Sequence, residues 1–364
     1  MSDVPFYVAI DPNYNNVTTT PSGSGDVVTI APSTTSGGFD AFGRMRVSNP
    51  LTLFDSKQLY DKLPNVYDEV ETGSGTSATF SANRASTLMS VSADTAGSVT
   101  RQSFERFNYQ PGKSKLIFLT YVMATAPTGD TVMRVGEFDG NDGLFLQYDA
   151  TGLSFGVRSN VSGTPTDTLI SQANWNLDTL DGTGPSGVTL EPNTASILII
   201  DFEWLGVGTV RYGFVIDGAI IYAHAQHHAN SITSVYMSSP VLPIRYEIST
   251  AGEGGAATLE HICSTVISEG GQNAQGILIG ASRPVGIAAT ALQLWTPLIS
   301  LRSKSDRLNS VLKIVDSTAV SDDNISRFEL GLFRNPTIAG TDAANWISAA
   351  NTALEFDNSR DNTN

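Results

Sequence analysis

The stretch Ile197–His224, ILIIDFEWLGVGTVRYGFVIDGAIIYAH, decides the fold, and it reads as three antiparallel strands. Asp217-Gly218 lies between two runs of alternating apolar residues. A tight type I′ turn needs positive φ at both central residues, and this dipeptide supplies it at little steric cost. The turn sets Ile216 opposite Ala219, Phe214 opposite Ile221 and Tyr212 opposite Ala223 on one side of the pleat, with Arg211 opposite His224 on the other. The preceding turn contains LGVGT. Taken as a five-residue loop, Leu205 to Thr209, it aligns Trp204 with Val210, Phe202 with Tyr212 and Ile200 with Phe214, so one aromatic face crosses all three strands. A four-residue loop would set Phe202 against Arg211 and mix the faces. The five-residue register leaves Asp201, Glu203, Arg211 and His224 on the second face, with Glu203 across from Arg211.

The rest of the chain carries the same signals. Its 364 residues suffice for two domains, or for one large β domain with appendages. With 33 glycines, 16% charged residues and no long Ala/Glu/Lys/Leu blocks, the composition is that of strands and turns. No apolar run approaches the roughly 20 residues of a spanning helix, and Met1–Asp11 lacks the basic start and apolar core of a secretion signal. Cys263 is the sole cysteine, which rules out an internal disulfide framework and points to a buried, inert thiol. A net charge of −15 argues against binding to phosphate backbones, and the best basic patch, Arg44 with Arg46, holds two charges.

Read in order, residues 1–65 form an arm and anchoring segment. Met1–Gly38 is rich in Thr, Ser, Pro, Gly and Asn and cannot bury a core of its own. Gly38–Lys62, GFDAFGRMRVSNPLTLFDSKQLYDK, interleaves apolar residues with Arg and Asp, a pattern suited to docking on another surface, or else to an ordinary strand of its own domain. Residues 66–270 show short strands at hairpin spacing: Thr87–Val91, Val99–Phe104, Leu116–Met123, Val132–Glu137, Leu144–Tyr148, Leu153–Val157, the central triplet, Ile244–Ile248 and Leu259–Ile267. So many strands without alternating helices predict an all-β fold, an antiparallel β-sandwich in the jelly-roll or concanavalin-like style. Asn174–Asn193 is a long excursion of the kind that makes contacts. Residues 271–291 form a glycine-rich linker. Residues 292–364 form a smaller β domain with a polar tail, its strands expected at Leu292–Leu301, Val311–Val315, Arg327–Phe333 and Trp346–Phe356. Four strands leave open edges for another chain to cover.

Four motifs invite a chemical reading, and each has a plainer alternative. Asp139-Gly-Asn-Asp-Gly143 has the oxygen density of a calcium loop but no closing Glu, and it lies between strands, so a β-turn is expected. His224, His227 and His228 could ligate zinc, but residues three apart on a strand point to opposite faces. Asp201 and Glu203 resemble an acid and nucleophile pair, and their spacing of about 6 to 7 Å along a strand fits glycoside hydrolysis. An ion pair to Arg211 would keep Glu203 ionised and unfit as an acid. Trp204 belongs to the apolar face, whereas Trp175, in the long excursion, is the tryptophan expected at the surface and able to stack on a sugar. No catalytic, cofactor-binding or metal residue is assigned, and no cofactor is expected.

The segment GFDAFGRMRVSNPLTLFDSKQLYDK, the run NWNLDTLDGTGPSG, the core DFEWLGVGTVRYGFVIDG with LPIRYEI and STVISEGG after it, and the distal LGLFRNPTIAGTDAANW together resemble a family of virion structural proteins of tailed bacteriophages. The resemblance covers about Gly38 to Phe356 and carries no catalytic motif. It implies a non-enzymatic virion component, tail, baseplate or fibre associated, assembled in the host cytoplasm. It implies a homo-oligomer, a trimer, bound to other virion proteins through the arm while the sandwich projects toward a host glycan or receptor. Nucleic-acid binding and membrane insertion are not expected. The alternatives are a capsid decoration protein and a glycan-binding or glycan-cleaving module. Incomplete sheet edges fit any symmetric assembly, because a neighbour can complete them.

Overall fold

A computed structural model of the chain describes residues 9–10, 17–18, 40–42, 44, 49–272, 278–283, 297–304, 312, 314–319, 330–332, 345–349 and 354–358. The chain divides into two compact units, Met1–Gln272 and Asn273–Asn364. The expected linker, the arm before Asp40 and the strand Arg327–Phe333 fall largely outside the described residues.

The first unit is an antiparallel β-sandwich. In chain order, β1 (Ala9–Ile10) pairs with β2 (Val17–Thr18). The strands of the sandwich begin with β3 (Pro50–Lys57), β4 (Tyr67–Gly73), β5 (Thr76–Ser81), β6 (Ser86–Val91), β7 (Gly97–Ser103) and β8 (Ser114–Met123). Then come β9 (Val132–Phe138), β10 (Gly143–Asp149), β11 (Gly152–Ser159) and β12 (Thr166–Ser171). β13 (Ser196–Phe202), β14 (Thr209–Ile216), β15 (Ala219–His227), β16 (Ile244–Thr250) and β17 (Ala257–Glu269) complete it. One sheet runs β12-β11-β10-β9-β16-β7-β4 and the other β15-β14-β13-β8-β17-β6-β5, with β3 on β17. Each sheet contains a meander of four consecutive strands or three strands beside β8, which is why hairpin spacing was visible in the sequence.

β17 organises the second sheet because its thirteen residues outreach every neighbour. β8 lines one side of it, while the other side is shared by β6, along Ala257–His261, and β3, along Cys263–Glu269. Pro50–Lys57 is thus a strand of its own sandwich rather than a segment docked on another surface. Pro50 sits at the strand's first position, where a missing N–H is tolerated. Cys263, expected to be buried, is partly exposed, with its Sγ 3.1 Å from Thr120 Oγ1 on the adjacent strand.

The core fills the space between the sheets. Ile117, Leu119, Leu198 and Ile200 from one sheet meet Val135, Leu146, Tyr246 and Ile248 from the other, all closed to solvent. Polar groups also enter this space in pairs. Lys115 meets Glu137 across the sheets, and Arg101 pairs with Glu69. The His261 ring stacks on Tyr246 at 3.9 Å and meets Tyr67 edge-on at 4.8 Å.

The outer face of the first sheet is sealed differently. Phe138 and Phe145 point away from the core yet are fully buried, beneath the guanidinium groups of Arg134, Arg158 and Arg245, whose carbons lie 5.3–5.7 Å from the ring centroids. Glu247 and Asp167 hold those arginines at 2.9 and 2.7 Å. Glycine at position 156 is required here, since a Cβ would come within 2.3 Å of the Phe145 ring.

In the second unit the described strands are β18 (Ser300–Ser303), β19 (Ile347–Ser348) and β20 (Leu354–Asp357), ordered β18-β20-β19. The stretch expected as one strand, Trp346–Phe356, is therefore two, and the described residues of Val311–Val315 are not in a strand. Among the described residues no helix is long and apolar enough to cross a membrane.

Candidate functional site

The central triplet forms as β13-β14-β15, and the Asp217-Gly218 turn has φ of 51° and 78°. Ile216 faces Ala219 and Phe214 faces Ile221, as expected. Beyond that the register departs from the sequence reading in two places. A bulge between Tyr212 and Gly213 puts His224 opposite Tyr212, and Ala225 opposite Arg211. The loop joining the first two strands is also longer, so Phe202 faces Val210, Ile200 faces Tyr212 and Leu198 faces Phe214. Each partner is displaced by two residues, which preserves the face of every side chain. The longer loop is fixed by local bonds: Gly208 N–H donates to Trp204 O at 2.8 Å, and Leu205 and Gly206 take positive φ.

That displacement changes the chemistry of the two carboxylates. Asp201, not Glu203, faces Arg211 and pairs with it, and Tyr222 Oη donates to Asp201 Oδ2 at 2.8 Å. The Arg211 guanidinium lies over the Tyr222 ring at 4.5 Å. Glu203 sits in the loop, 8% exposed, and its Oε2 has no hydrogen-bond partner among the described residues. Burial pushes its carboxyl up to about 7, with Asp40 and Asp201 nearby adding to the rise. The expected Glu203–Arg211 pair is therefore absent, and Glu203 is not held ionised by it. What separates these carboxylates from solvent is packing, since Asp201 is fully buried and Glu203 nearly so.

The other motifs are absorbed into structure. Asp139 accepts from the N–H groups of Asn141 and Asp142 and from Arg106; burial opposes ionisation, but these donors outweigh it and hold the carboxyl below its usual range. Asp142 accepts from Asn160 N–H and from Ser238. This is the expected turn. The three histidines diverge. His224 Nδ1 accepts from Asn176 N–H, His227 contacts Thr209, and His228 stacks on Tyr236 at 4.1 Å. Burial lowers the pKa of both His224 and His228. Among the described residues no group of three His, Cys, Asp or Glu side chains is placed to hold a metal ion.

Trp175 is buried at 4% exposure, contrary to its expected place at the surface. The excursion folds back: Leu177 and Asp178 N–H groups bond to Ala223 O, and the Trp175 ring stacks on Phe155 at 4.2 Å. Trp204 packs against the core with its Nε1 donating to Met237 O at 3.0 Å. Trp346 lies under Arg302 at 4.0 Å, and Trp295 lies outside the described residues.

The later part of the same excursion forms a feature that no motif indicated. Residues 188–191 and 194–197 and the end of β14 with its turn, 214–217, line an open cleft of about 320 Å³. Val188, Glu191, Ile197, Val215, Ile216 and Asp217 are among the residues that line it. That volume lies at the low end of small-molecule sites, about 300–1,000 Å³.

No protein-family model matches the sequence, and no curated protein does. Several solved structures are similar to part of the chain. A glycosyl hydrolase family 16 protein from Mycobacterium smegmatis is 9% identical with a TM-score of 0.42, covering 59% of this chain and 100% of its own. The carbohydrate recognition domain of Emp47p is 10% identical with a TM-score of 0.36, covering 58% and 94%. A protein of unknown function from Shewanella oneidensis is 8% identical with a TM-score of 0.39, covering 70% and 100%. The class defined here is an all-β protein with a jelly-roll, concanavalin-like sandwich.

Proposed function

We propose that this chain is a non-enzymatic virion structural protein of a tailed bacteriophage, tail, baseplate or fibre associated and oligomeric. The observation that carries the reading is the solvent exposure of large aliphatic side chains in the second unit, including Leu278 at 85%, Val315 at 75% and Leu332 at 73%. Exposed aliphatic side chains such as these are available for burial where the subunits of an assembly meet. The burial of Asp201, and the near-burial of Glu203 beside it, support the non-enzymatic part, because a substrate cannot reach an Asp201 carboxylate that is closed to solvent. The sequence resemblance to tailed-phage virion proteins supplies the setting.

Deleting residues 1–38 tests the anchoring role. The cut leaves β3, which starts at Pro50, in place on β17. The truncated chain is expected to keep its circular dichroism spectrum and melting temperature and to be missing from purified particles. Incorporation at the full-length level would overturn the role of the arm. Copy number then separates the tail reading, with tens or fewer per particle, from a capsid decoration protein, with hundreds.

A further inference from the structure

β12 ends the seven-stranded sheet, with β11 on one side and no strand on the other. A free strand edge invites pairing with another chain, and proteins block it with lysine or proline, with a bulge, or with a covering loop. Two other edges of the sandwich are blocked by bonds to their backbone. At β15, the Leu177 and Asp178 N–H groups donate to Ala223 O, and the Asn176 carboxamide exchanges two bonds with the backbone of Ala225. At β5, Ala78 N–H donates to Glu71 Oε1 at 3.1 Å and Lys62 Nζ donates to Ala78 O at 3.1 Å. The middle of β12 has no such cover. Thr166 to Leu169 are all exposed, the strand TDTLIS holds no lysine, arginine or proline, and its ladder with β11 runs without a bulge. Among the described residues no side chain bonds to the backbone of those four residues; the cap that Trp175 Nε1 provides is on Ile170 O. The strand's one charge is engaged within the chain, because Arg158 holds both oxygens of Asp167, at 2.7 and 2.9 Å.

We propose that β12 pairs antiparallel with β12 of a second copy of this chain about a two-fold axis at Thr168, joining two seven-stranded sheets into one. A two-fold axis through a sheet passes between identical residues, and the strand's own sequence selects which. With Thr168 against the partner's Thr168, Asp167 faces the partner's Leu169 and Thr166 faces the partner's Ile170, so no like charges are opposed. An axis at Asp167 would set two carboxylates against each other, which destabilises an antiparallel pair. An axis at Leu169 would bring Ile170, whose carbonyl Trp175 already engages, beside the axis instead of at the end of the ladder. The Thr168 register also supplies a favourable threonine pair, and it makes the two Leu169 side chains, each 43% exposed, diagonal neighbours within reach of one another. Since one strand supplies both halves, the contact is self-complementary and closes at two copies, not the three that the sequence resemblance implies. It gives a surface to the oligomeric part of the proposed function but is read from the strand alone.

Sedimentation equilibrium of the purified full chain, joined to cysteine cross-linking, tests the pairing. The chain is expected to pass from monomer to dimer as concentration rises. Thr168→Lys sets two ammonium groups against each other at the axis and is expected to weaken that association about fivefold or more. Thr168 is exposed, so the variant should melt with the wild type at a dilution where both are monomers. With the sole cysteine removed by Cys263→Ser, Thr168→Cys is expected to give a disulfide-linked dimer under mild oxidation, because directly opposed residues meet the geometry of a disulfide. Leu169→Cys, whose two copies lie on a diagonal, is expected not to. A monomer at every concentration, an oligomer that Thr168→Lys leaves unweakened, or cross-linking by Leu169→Cys but not by Thr168→Cys would overturn the pairing. A monomer in isolation whose Thr168→Cys links to a different protein in purified particles would assign the edge to a foreign strand and overturn the second copy as its occupant. Sedimentation and cross-linking use the isolated chain, so their failure is distinct from failure of the proposed function, which is read from particles.

Discussion

Lys115 Nζ lies 2.8 Å from Glu137 Oε1, and this contact joins β8 of one sheet to β9 of the other with both side chains closed to solvent. Lys115 also donates to Phe107 O at 3.0 Å and Pro240 O at 3.2 Å, so the ammonium has three partners. Burial lowers the lysine's pKa and pushes the Glu137 carboxyl up to about 7. Removing one member leaves the other charge buried without compensation, which costs about 3–5 kcal/mol. Lys115→Met and Glu137→Leu should each lower the urea midpoint strongly, while the double variant should recover much of the loss. Independent, additive losses would show that the two residues do not act as a pair.

Trp175→Ala is expected to act on stability. The ring is sandwiched against Phe155 and holds the excursion to the β11 strand, and its Nε1 donates to Ile170 O at 3.2 Å. Truncating a buried tryptophan costs about 3–5 kcal/mol. Denaturant unfolding should show a loss in that range. A melting temperature equal to wild type would place the ring outside the core.

Gly156→Ala should be costly although alanine is small. The added Cβ meets the Phe145 ring, which is pinned under Arg134 and Arg158 and cannot step aside without breaking that cover. Overpacking of this kind costs about 1–3 kcal/mol. Phe145→Leu in the same chain should relieve part of the cost, and a double-mutant cycle measures it.

Two buried groups give stability opposite dependences on pH. His261 has its pKa lowered well below 6.5, by burial first and by the Arg101 charge second, so below about 6.5 the unfolded chain binds the extra proton and acidification destabilises the fold. Glu203 has its pKa raised from 4.5 to about 7 by burial, so between those values the folded chain holds the extra proton and stability falls as pH rises. Urea unfolding from pH 4.5 to 7.5 should show a weaker first dependence in His261→Gln, with His224 and His228 supplying the remainder, and a weaker second dependence in Glu203→Gln. Glu137 adds to the second dependence in both proteins, so the difference between wild type and Glu203→Gln is the quantity to compare. Equal pH profiles for Glu203→Gln and wild type would show that this carboxyl is not perturbed.

The faces of the central strands were legible because the Asp217-Gly218 turn fixes parity and a two-residue slip preserves it. The partner of Arg211 was not legible, because LGVGT does not record how many residues the loop withdraws from the ladder, and the bulge before Gly213 has no signature in its neighbours. Three strands of the sandwich, β4, β5 and β12, escaped detection for a common reason. YDEVETG, TSATFS and TDTLIS are polar sequences at sheet edges, where one side meets solvent and alternation fades. The face expected to be polar is half apolar, with Leu116, Ile199 and Tyr222 forming a second buried cluster. The position of Trp175 depended on the excursion folding back, a long-range event that local sequence does not encode. The cleft joins Glu191 to Asp217 across 26 positions and was invisible for the same reason.

Imaging of intact particles at a resolution that shows individual strands tests the central claim most directly. The expected result is repeated density at the tail, baseplate or fibre that accepts the two-sheet sandwich, with residues 1–38 traced into a neighbouring protein. Absence of the chain from purified particles, or release of soluble fragments from host polysaccharide by the purified chain, would contradict a non-enzymatic structural subunit.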